Sequence, residues 1–430
     1  MPEPTTKVIR PARGIAGSLR LPGDKSISHR YAMLGAIAEG ETSLSNFSTG
    51  ADCASTLGCL KTLGVEWQHQ DRNVVIQGRG KALHAPENAL DCGNSGSTMR
   101  MLSGILAGQS FSCDLMGDES LSRRPMARII TPLEKMGAKI SSQPGGKPPL
   151  HVIGSTLRGI SYEMPVPSAQ VKTALLFAGL CAEGKTSVTE AMRTRDHGEI
   201  ALRAFGAEVS QKDKILTIAG GQKLRGIQAS IPGDISSAAF FLCAAGLFPG
   251  SKIVFDSLLM NPTRARLLDI LMQLGIKISV IEVQETHGEL AGTIQATGGH
   301  LKGVTIAGAD SAALIDEIPV LAAIAPYTGD GIEIRDAREL RVKESDRIAA
   351  VATNLRKMGA EVEEREDGLK IPGGQKLHGA ELDSFGDHRI AMAFAVAALG
   401  ADGETQIDHA DAAVISYPAF FETLEGLAER

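Results

Sequence analysis

The chain has 430 residues, 43% apolar and 22% charged, with a formal net charge of −6 and only 4% aromatic residues. That is enough apolar material for a buried core and two or three domains, which excludes global disorder. With 44 basic against 50 acidic residues, the chain has neither the electrostatic footprint nor the stacking surface of a nucleic-acid binder, so an anionic ligand must be met by locally clustered cations.

The opening stretch MPEPTTKVIRPARGI has no apolar signal segment. Every later apolar run is broken by charge or glycine well before the ~18 residues of a membrane span, so a soluble cytoplasmic protein with no membrane partner is expected. Cys53, Cys59, Cys92, Cys113, Cys181 and Cys243 form no C-x-x-C pair and no Cys/His ligand spacing. They read as reduced thiols, with neither structural zinc nor disulfides implied.

In chain order, one phrase returns five times: Leu60-KTLGVEW, Leu133-EKMGAKI, Leu202-RAFGAEV, Leu271-MQLGIKI and Leu355-RKMGAEV, with a sixth helix end at Leu424-EGLAER. Each reads as the last turns of an amphipathic helix stopped by glycine, followed at once by a short alternating strand. A second phrase runs out of phase with it: RGIAGSLRLPGDKS, ALDCGNSGSTM, LRGISYEMPVPSAQ, LRGIQASIPGDISS, LKGVTIAGADSAAL and LHGAELDSFGDHR. There a strand ends in a turn of small polar residues and an Ala/Leu-rich helix is predicted to follow. Ser and Asp cap helices everywhere, but six aligned helix starts also present six sets of free N–H groups suited to phosphate or carboxylate.

The turns Leu21-PGDKS and Ile231-PGDIS are nearly identical, as in a chain that leaves one half and returns to it. Residues 23–234 are expected as one domain and residues 1–22 with 235–430 as the other. The cleft between them is the default site. Neither a G-x-G-x-x-G nor a P-loop appears, so a dinucleotide or nucleotide fold is not indicated.

Charged residues crowd these turns. Asp24-KSISHR puts Lys25, Ser26 and Arg30 at a helix start, where cations oppose the macrodipole unless an anion sits between them. Asn94-SGSTMR places Gly96 at the next start, leaving room for a ligand against the backbone. In Ser122-RRPM, Arg123 and Arg124 precede a proline expected at the first helical position. Ser168 and Gln170 stand at another start. Arg195 follows beside Asp196 and His197, whose H-x-E pattern lacks the C-x-x-C of a zinc site. Asp316 and Glu317 are expected to open an apolar helix, with the charge sign that suits a helix start. In RVKESDR, Lys343, Glu344 and Arg347 are expected on one helix, with Lys343 and Arg347 sharing a face around an anion. His388 and Arg389 stand at the sixth turn. So many cations in an acidic protein point to a site for more than one multiply charged small anion. Asp316 and Glu344 are the carboxylates available for proton transfer, kept ionised by their neighbours.

Taken in order, LPGDKSISHR, GNSGSTMR, SRRPM, PSAQ, RDHGE, DEIP, RVKESDR and GDHRIAM cover almost the whole chain and resemble the 5-enolpyruvylshikimate-3-phosphate synthase family. The RDHGE and DEIP forms resemble its bacterial class II branch. The resemblance implies a mixed α/β fold: a two-domain inside-out α/β barrel of six βαβαββ units, three per domain. It implies transfer of the enolpyruvyl group of phosphoenolpyruvate to the 5-hydroxyl of shikimate 3-phosphate, by addition and elimination through a tetrahedral intermediate. No metal or organic cofactor is implied. The partners are these two small substrates, with glyphosate as a competitive inhibitor and a monomer as the expected state.

Carried over by position, Lys25, Ser26, Arg30, Ser168, Ala169, Gln170, Arg195, Asp316 and Lys343 would hold shikimate 3-phosphate. Lys25, Asn94, Gly96, Arg124, Gln170, Arg347, His388 and Arg389 would hold phosphoenolpyruvate. Asp316 resembles the acceptor of the 5-hydroxyl proton, and Glu344 the residue that passes a proton to and from the methylene carbon. Many relatives carry a lysine just before a turn near the C-terminus, where Ala413-VISYP has none; Lys25 and His388 remain as acids for the departing phosphate. The alternatives are the related enolpyruvyl transferase acting on UDP-N-acetylglucosamine and a non-catalytic anion-binding protein on the same scaffold. The first normally carries a reactive Cys in the loop corresponding to Gly117-DESLSRRP, which has none here; Asp316 and Glu344 speak against the second.

Overall fold

The computed structural model describes residues 5–430; positions 1–4 of the expected C-terminal-half domain lie outside the described residues. The first repeated phrase is a helix stop. Helices Ala51–Thr62, Ala127–Lys135, His197–Ala204, Arg266–Gln273 and Arg347–Lys357 are followed by Gly64, Gly137, Gly206, Gly275 and Gly359, with φ from +80° to +104°. The next amide then returns to the leucine of the phrase, Val65 to Leu60, Ala138 to Leu133, Ala207 to Leu202, Ile276 to Leu271 and Ala360 to Leu355, at 2.9–3.1 Å. A carbonyl that the helix end leaves open is thereby satisfied, by a turn that glycine enters without strain. The sixth helix, Phe420–Leu427, runs into the two-residue strand Ala428–Glu429 without such a stop.

The second phrase is a helix start. Asp24, Ser95, Ser168, Asp234 and Asp387 each accept a hydrogen bond from an amide two or three residues on. They open Lys25–Ile37, Gly96–Leu106, Ala169–Cys181, Ile235–Leu247 and His388–Leu399, helices buried around nearly their whole circumference. Helices of that kind belong in a core. The fifth turn opens a shorter helix than the others. Gly308 opens only Ala309–Ala313, and the apolar segment restarts as Ile318–Ala323 before a 3-10 turn at Ala325–Tyr327. Pro319 and Pro326 account for the breaks, since each lacks the N–H a continuing helix needs and suits a first turn instead.

Chain contacts form two units: residues up to Leu21 with Pro232–Gln284 and Leu290–Arg430, and Pro22–Ile231 with Glu285–Glu289. Relative to the expected boundaries, Pro22 joins the middle unit, Pro232–Asp234 join the other, and the five residues Glu285–Glu289 had no counterpart in the reading of the sequence.

In the middle unit, strands Leu90–Asp91, Ser112–Met116, Lys147–Ile153 and Lys139–Gln143 lie side by side in that order, the first pair parallel and the rest antiparallel. Ser161–Met164, Lys185–Glu190, Ile215–Ala219 and Val209–Lys212 repeat the pattern. This is the βαβαββ unit: two parallel strands joined through a buried helix, then an amphipathic helix and a hairpin. The remaining sheet of this unit begins with Gln228–Ser230, parallel to Glu39–Ser45 with Ala229 opposite Leu44. Gly14–Leu19, which precedes helix Lys25–Ile37 in the chain, pairs instead with Lys252–Leu259 in the other unit, Gly17 opposite Ile253. The two crossings thus exchange first strands.

The other unit repeats the four-strand order with Val304–Ile306, Ile332–Ile334, Gly368–Ile371 and Glu363–Arg365. Its last sheet, Glu381–Asp383 and Thr405–Asp408, is completed by the N-terminal strand Lys7–Ile9. In each unit the buried helices pack on one another with the sheets around them: Lys25–Ile37, Gly96–Leu106 and Ala169–Cys181 in one, Ile235–Leu247, Ile318–Ala323 and His388–Leu399 in the other. This is a mixed α/β inside-out barrel.

Candidate active site

The predicted residues fall into two groups, one in each unit. In the middle unit, Lys25 is the first residue of its helix, and its Nζ lies 2.9 Å from Oδ2 of Asp52. A cation disfavoured at a helix start is therefore met by a carboxylate of the protein itself. Ser26 follows, half-buried. Arg30 is 2% exposed. Its Nε and Nη2 donate to Thr173 Oγ1 at 3.2 and 2.9 Å, Nη1 to the Ser26 carbonyl at 2.8 Å, and Nη2 to the Ala169 carbonyl at 3.4 Å. Burial pulls the Arg30 guanidinium down to about 10, opposed by Glu199 and Asp24 and assisted by Arg195.

Ser168 caps the helix whose first turn carries Ala169 and Gln170. Gln170 Oε1 accepts from Arg100 Nη1 at 2.7 Å, and its Nε2 donates to Ser97 Oγ at 2.8 Å. These bonds draw the starts of two buried helices together beside Gly96, the first residue of Gly96–Leu106. A Cβ on Gly96 would lie 2.7 Å from Arg100 Nη1 and 3.7 Å from Arg124 Nη1. Arg124 Nη2 donates to Asn94 Oδ1 at 2.8 Å and to Ser120 Oγ at 3.0 Å, while Asn94 Nδ2 donates to Asp118 Oδ2 at 2.8 Å. The proline after Arg124 is not at the first helical position as expected. Arg123 ends the short helix Glu119–Ser122, and Met126, one residue beyond Pro125, is the cap of Ala127–Lys135.

Arg195 is half-buried in the turn before helix His197–Ala204. That turn hangs on a buried cluster. Glu190 Oε1 accepts from the amide and hydroxyl of Thr194, and Lys172 Nζ, fully buried, lies 2.9 Å from both Glu190 Oε2 and Glu199 Oε1. His197 Nδ1 is engaged by Glu289 Oε1 at 2.6 Å.

In the other unit, Asp316 sits between helices Ala309–Ala313 and Ile318–Ala323. Its Oδ1 is 3.6 Å from Arg347 Nη1 and 3.7 Å from Lys343 Nζ. Arg347 is 1% exposed; Nη2 donates to Glu344 Oε2 at 2.7 Å and Nε to Asp387 Oδ2 at 2.8 Å. Burial pulls this guanidinium down, but Asp387, Glu344 and Asp316 more than reverse the effect and raise it above its ordinary value. Asp387 is fully buried, which pushes its carboxyl up; the field of Arg347 outweighs that and holds it below the usual value. His388 and Arg389 open the last buried helix at 1% and 6% exposure, and Arg389 Nη1 donates to the Asp316 carbonyl at 2.8 Å.

The expectation that Lys343 and Arg347 share a helix face is corrected. A 3-10 turn, Arg338–Val342, ends before Lys343, and Asp346 caps a helix that begins only at Arg347. The anion expected between the two cations is the protein's own Asp316.

Several residues of these groups were missed in the sequence. Asp387 carries the signal of a cap, and Arg100 that of position i+4 from Gly96. Asp52 and Arg264 carry none. Arg264 Nη2 lies 3.3 Å from Glu317 Oε1 and donates to Ser236 Oγ, which itself bonds Glu317.

No helix among the described residues is long and apolar enough to cross a membrane. A family model described as EPSP synthase (3-phosphoshikimate 1-carboxyvinyltransferase) matches residues 9–424. The chain is 61% identical over 423 residues to a 3-phosphoshikimate 1-carboxyvinyltransferase of Koribacter versatilis, covering 98% of this chain and 99% of that one. It is 47% identical over 417 residues to that of Bacillus subtilis, covering 96% and 97%. An EPSP synthase structure from Acinetobacter baumannii superposes with a TM-score of 0.88 at 40% identity, covering 99% of this chain and 98% of that one. With its repeated βαβαββ units, its two charged groups and these likenesses, the chain belongs to the EPSP synthase (3-phosphoshikimate 1-carboxyvinyltransferase) family.

Proposed function

We propose that this chain transfers the enolpyruvyl group of phosphoenolpyruvate to the 5-hydroxyl of shikimate 3-phosphate, releasing phosphate. The observation that carries the reading is the placing of two carboxylates on one buried guanidinium, Asp316 at 3.6 Å and Glu344 at 2.7 Å from Arg347. Addition needs a proton on the methylene carbon and the removal of one from the attacking hydroxyl. Glu344, taking up a proton from solvent as the substrates bind, gives the first as the carboxylic acid, and Asp316, as the carboxylate, takes the second. Glu344 then recovers a methyl proton as phosphate leaves. Lys343 and Arg347 are fixed charges beside the centre where charge develops.

Shikimate 3-phosphate is held by Lys25, Ser26, Arg30, Ser168, Ala169, Gln170, Arg195, Asp316 and Lys343. Phosphoenolpyruvate is held by Lys25, Asn94, Gly96, Arg124, Gln170, Arg347, His388 and Arg389. Lys25, with its side chain 21% exposed and Asp52 beside it, is favoured over the buried His388 as the acid for the departing phosphate. Glyphosate competes with phosphoenolpyruvate, and the enzyme works as a cytoplasmic monomer.

The test is phosphate release from phosphoenolpyruvate with shikimate 3-phosphate, unphosphorylated shikimate or UDP-N-acetylglucosamine as acceptor. Release with shikimate 3-phosphate alone is expected. Release with only the nucleotide sugar, or no release with any acceptor, would overturn the proposal.

A further inference from the structure

Lys343, Glu344 and Ser345 form a short bridge between the 3-10 turn Arg338–Val342 and the helix capped by Asp346. Arg341, in the last turn before the bridge, reaches across to its far end. Its Nη1 lies 3.1 and 2.9 Å from the two carboxylate oxygens of Asp346 and 3.0 Å from Glu364 Oε1. Its Nε donates to the Glu366 carbonyl at 3.0 Å, and Nη2 to that of Arg365. Asp346 Oδ1 meanwhile accepts from the Ala349 amide at 3.0 Å. From the other side, Ser345 Oγ and Arg347 Nε both donate to Asp387 Oδ2, at 3.0 and 2.8 Å. The bridge is tied at its two ends by one ion pair and inward by a buried carboxylate.

We propose that Arg341 is a positioning residue for the reaction: paired with Asp346, it closes the bridge and so holds Glu344 and Lys343 in register with Asp316 and the reacting carbon. The proposal rests on the reading of Glu344 as the proton carrier. Arg341 and Asp346 are 24% and 40% exposed at their side chains, and a pair so open to water adds little to stability. Its effect lies in geometry, where displacement by about 1 Å lowers rates by about 100-fold.

The experiment compares the full-length enzyme with Arg341→Met, Arg341→Lys and Asp346→Asn. Asparagine keeps the helix cap and removes the charge. Four quantities are read: kcat, KM for each substrate, melting temperature, and deuterium incorporation at C3 of phosphoenolpyruvate recovered from a reaction in D2O approaching equilibrium. Protonation at C3 makes a methyl group, and its reversal removes any one of the three hydrogens, so incorporation reports the step assigned to Glu344.

In Arg341→Met, kcat and incorporation are expected to fall together by about 10- to 100-fold, with both KM values within about threefold, while the melting temperature is expected to hold in Asp346→Asn, which leaves the bonds of Arg341 to Glu364, Glu366 and Arg365 in place. Asp346→Asn should change kcat and incorporation in the same direction, and Arg341→Lys should restore part of the loss. Unchanged kcat and incorporation in Arg341→Met and Asp346→Asn would overturn the proposal. So would a rise in KM at constant kcat, which would make Arg341 a ligand contact, or a rate loss that tracks the melting temperature. Wild-type turnover without any deuterium incorporation would sink the reading of Glu344, and this proposal with it.

Discussion

Arg389 donates from Nη1 to the main-chain carbonyl of Asp316 at 2.8 Å, so the sixth repeated turn holds in place the carboxylate that follows the fifth. Asp316 is thereby fixed through its backbone, independently of its side-chain charge. Replacing Asp316 by Asn should leave this anchor intact and lower kcat by about 100-fold or more, the usual contribution of a positioned acid or base. KM for shikimate 3-phosphate should stay within about threefold. Steady-state kinetics decide the matter: equal losses in kcat and in binding would remove Asp316 from the role of base.

Gly96→Ala inserts a methyl 2.7 Å from Arg100 Nη1. The guanidinium is the far end of a flexible side chain and can withdraw, but withdrawal breaks its 2.7 Å bond to Gln170. Glyphosate inhibition is expected to weaken by at least about tenfold, the order that a misplaced methyl produces in a tight pocket. The KM for phosphoenolpyruvate should rise less. Inhibition constants measured against phosphoenolpyruvate would show the change, and an unaltered value would contradict the steric account.

The parts of the fold readable in advance were those decided within a few residues. Leu60, Gly64 and Val65 close a helix among themselves, and Asp24 caps one through its own side chain, so both phrases carry their structure locally. The charges around Arg347 were not of that kind. Its partners Asp316 and Asp387 are 31 and 40 positions away in the chain, and the helix expected to carry Lys343 begins only after the Asp346 cap. For the same reason Asp52 and Arg264, which act only across elements, left no mark in the sequence.

Arg264 and Glu317 are 2% and 3% exposed at their side chains. Removing one member takes from the other its ion-pair partner in the core, where Ser236 still bonds it and Arg389 Nη1 stays 4.0 Å from Glu317 Oε1. Glu317→Leu or Arg264→Met alone should therefore lower stability by about 3–5 kcal/mol, and the double variant should recover much of the loss. Urea unfolding of the three variants gives the coupling. Additive losses would show that the two residues do not depend on each other.

His29, fully buried with Nδ1 2.7 Å from Thr56 Oγ1, is held well below its usual 6.5, first by burial and then by Lys25 and Arg30. As pH falls below 6.5 the unfolded chain takes up this proton and the native one does not. The contribution of His29 is thus complete above 6.5 and lost as pH falls toward the lower native value, by up to about 1.4 kcal/mol per pH unit. Unfolding free energies of wild type and His29→Asn between about pH 7 and pH 5.5 should show the shallower slope in the variant. Parallel slopes would rule this histidine out as a source of acid sensitivity.

The exchange of first strands orders events during synthesis. Every strand of the sheet that holds Glu39–Ser45 has left the ribosome once Ser230 has, whereas Gly14–Leu19 must wait for Lys252–Leu259, more than 230 residues behind it. At about 5–20 residues per second, that edge stays without its partner for some tens of seconds, nearly all of them spent making the middle unit. A strand made before the middle unit thus finds its place only after that unit has been made.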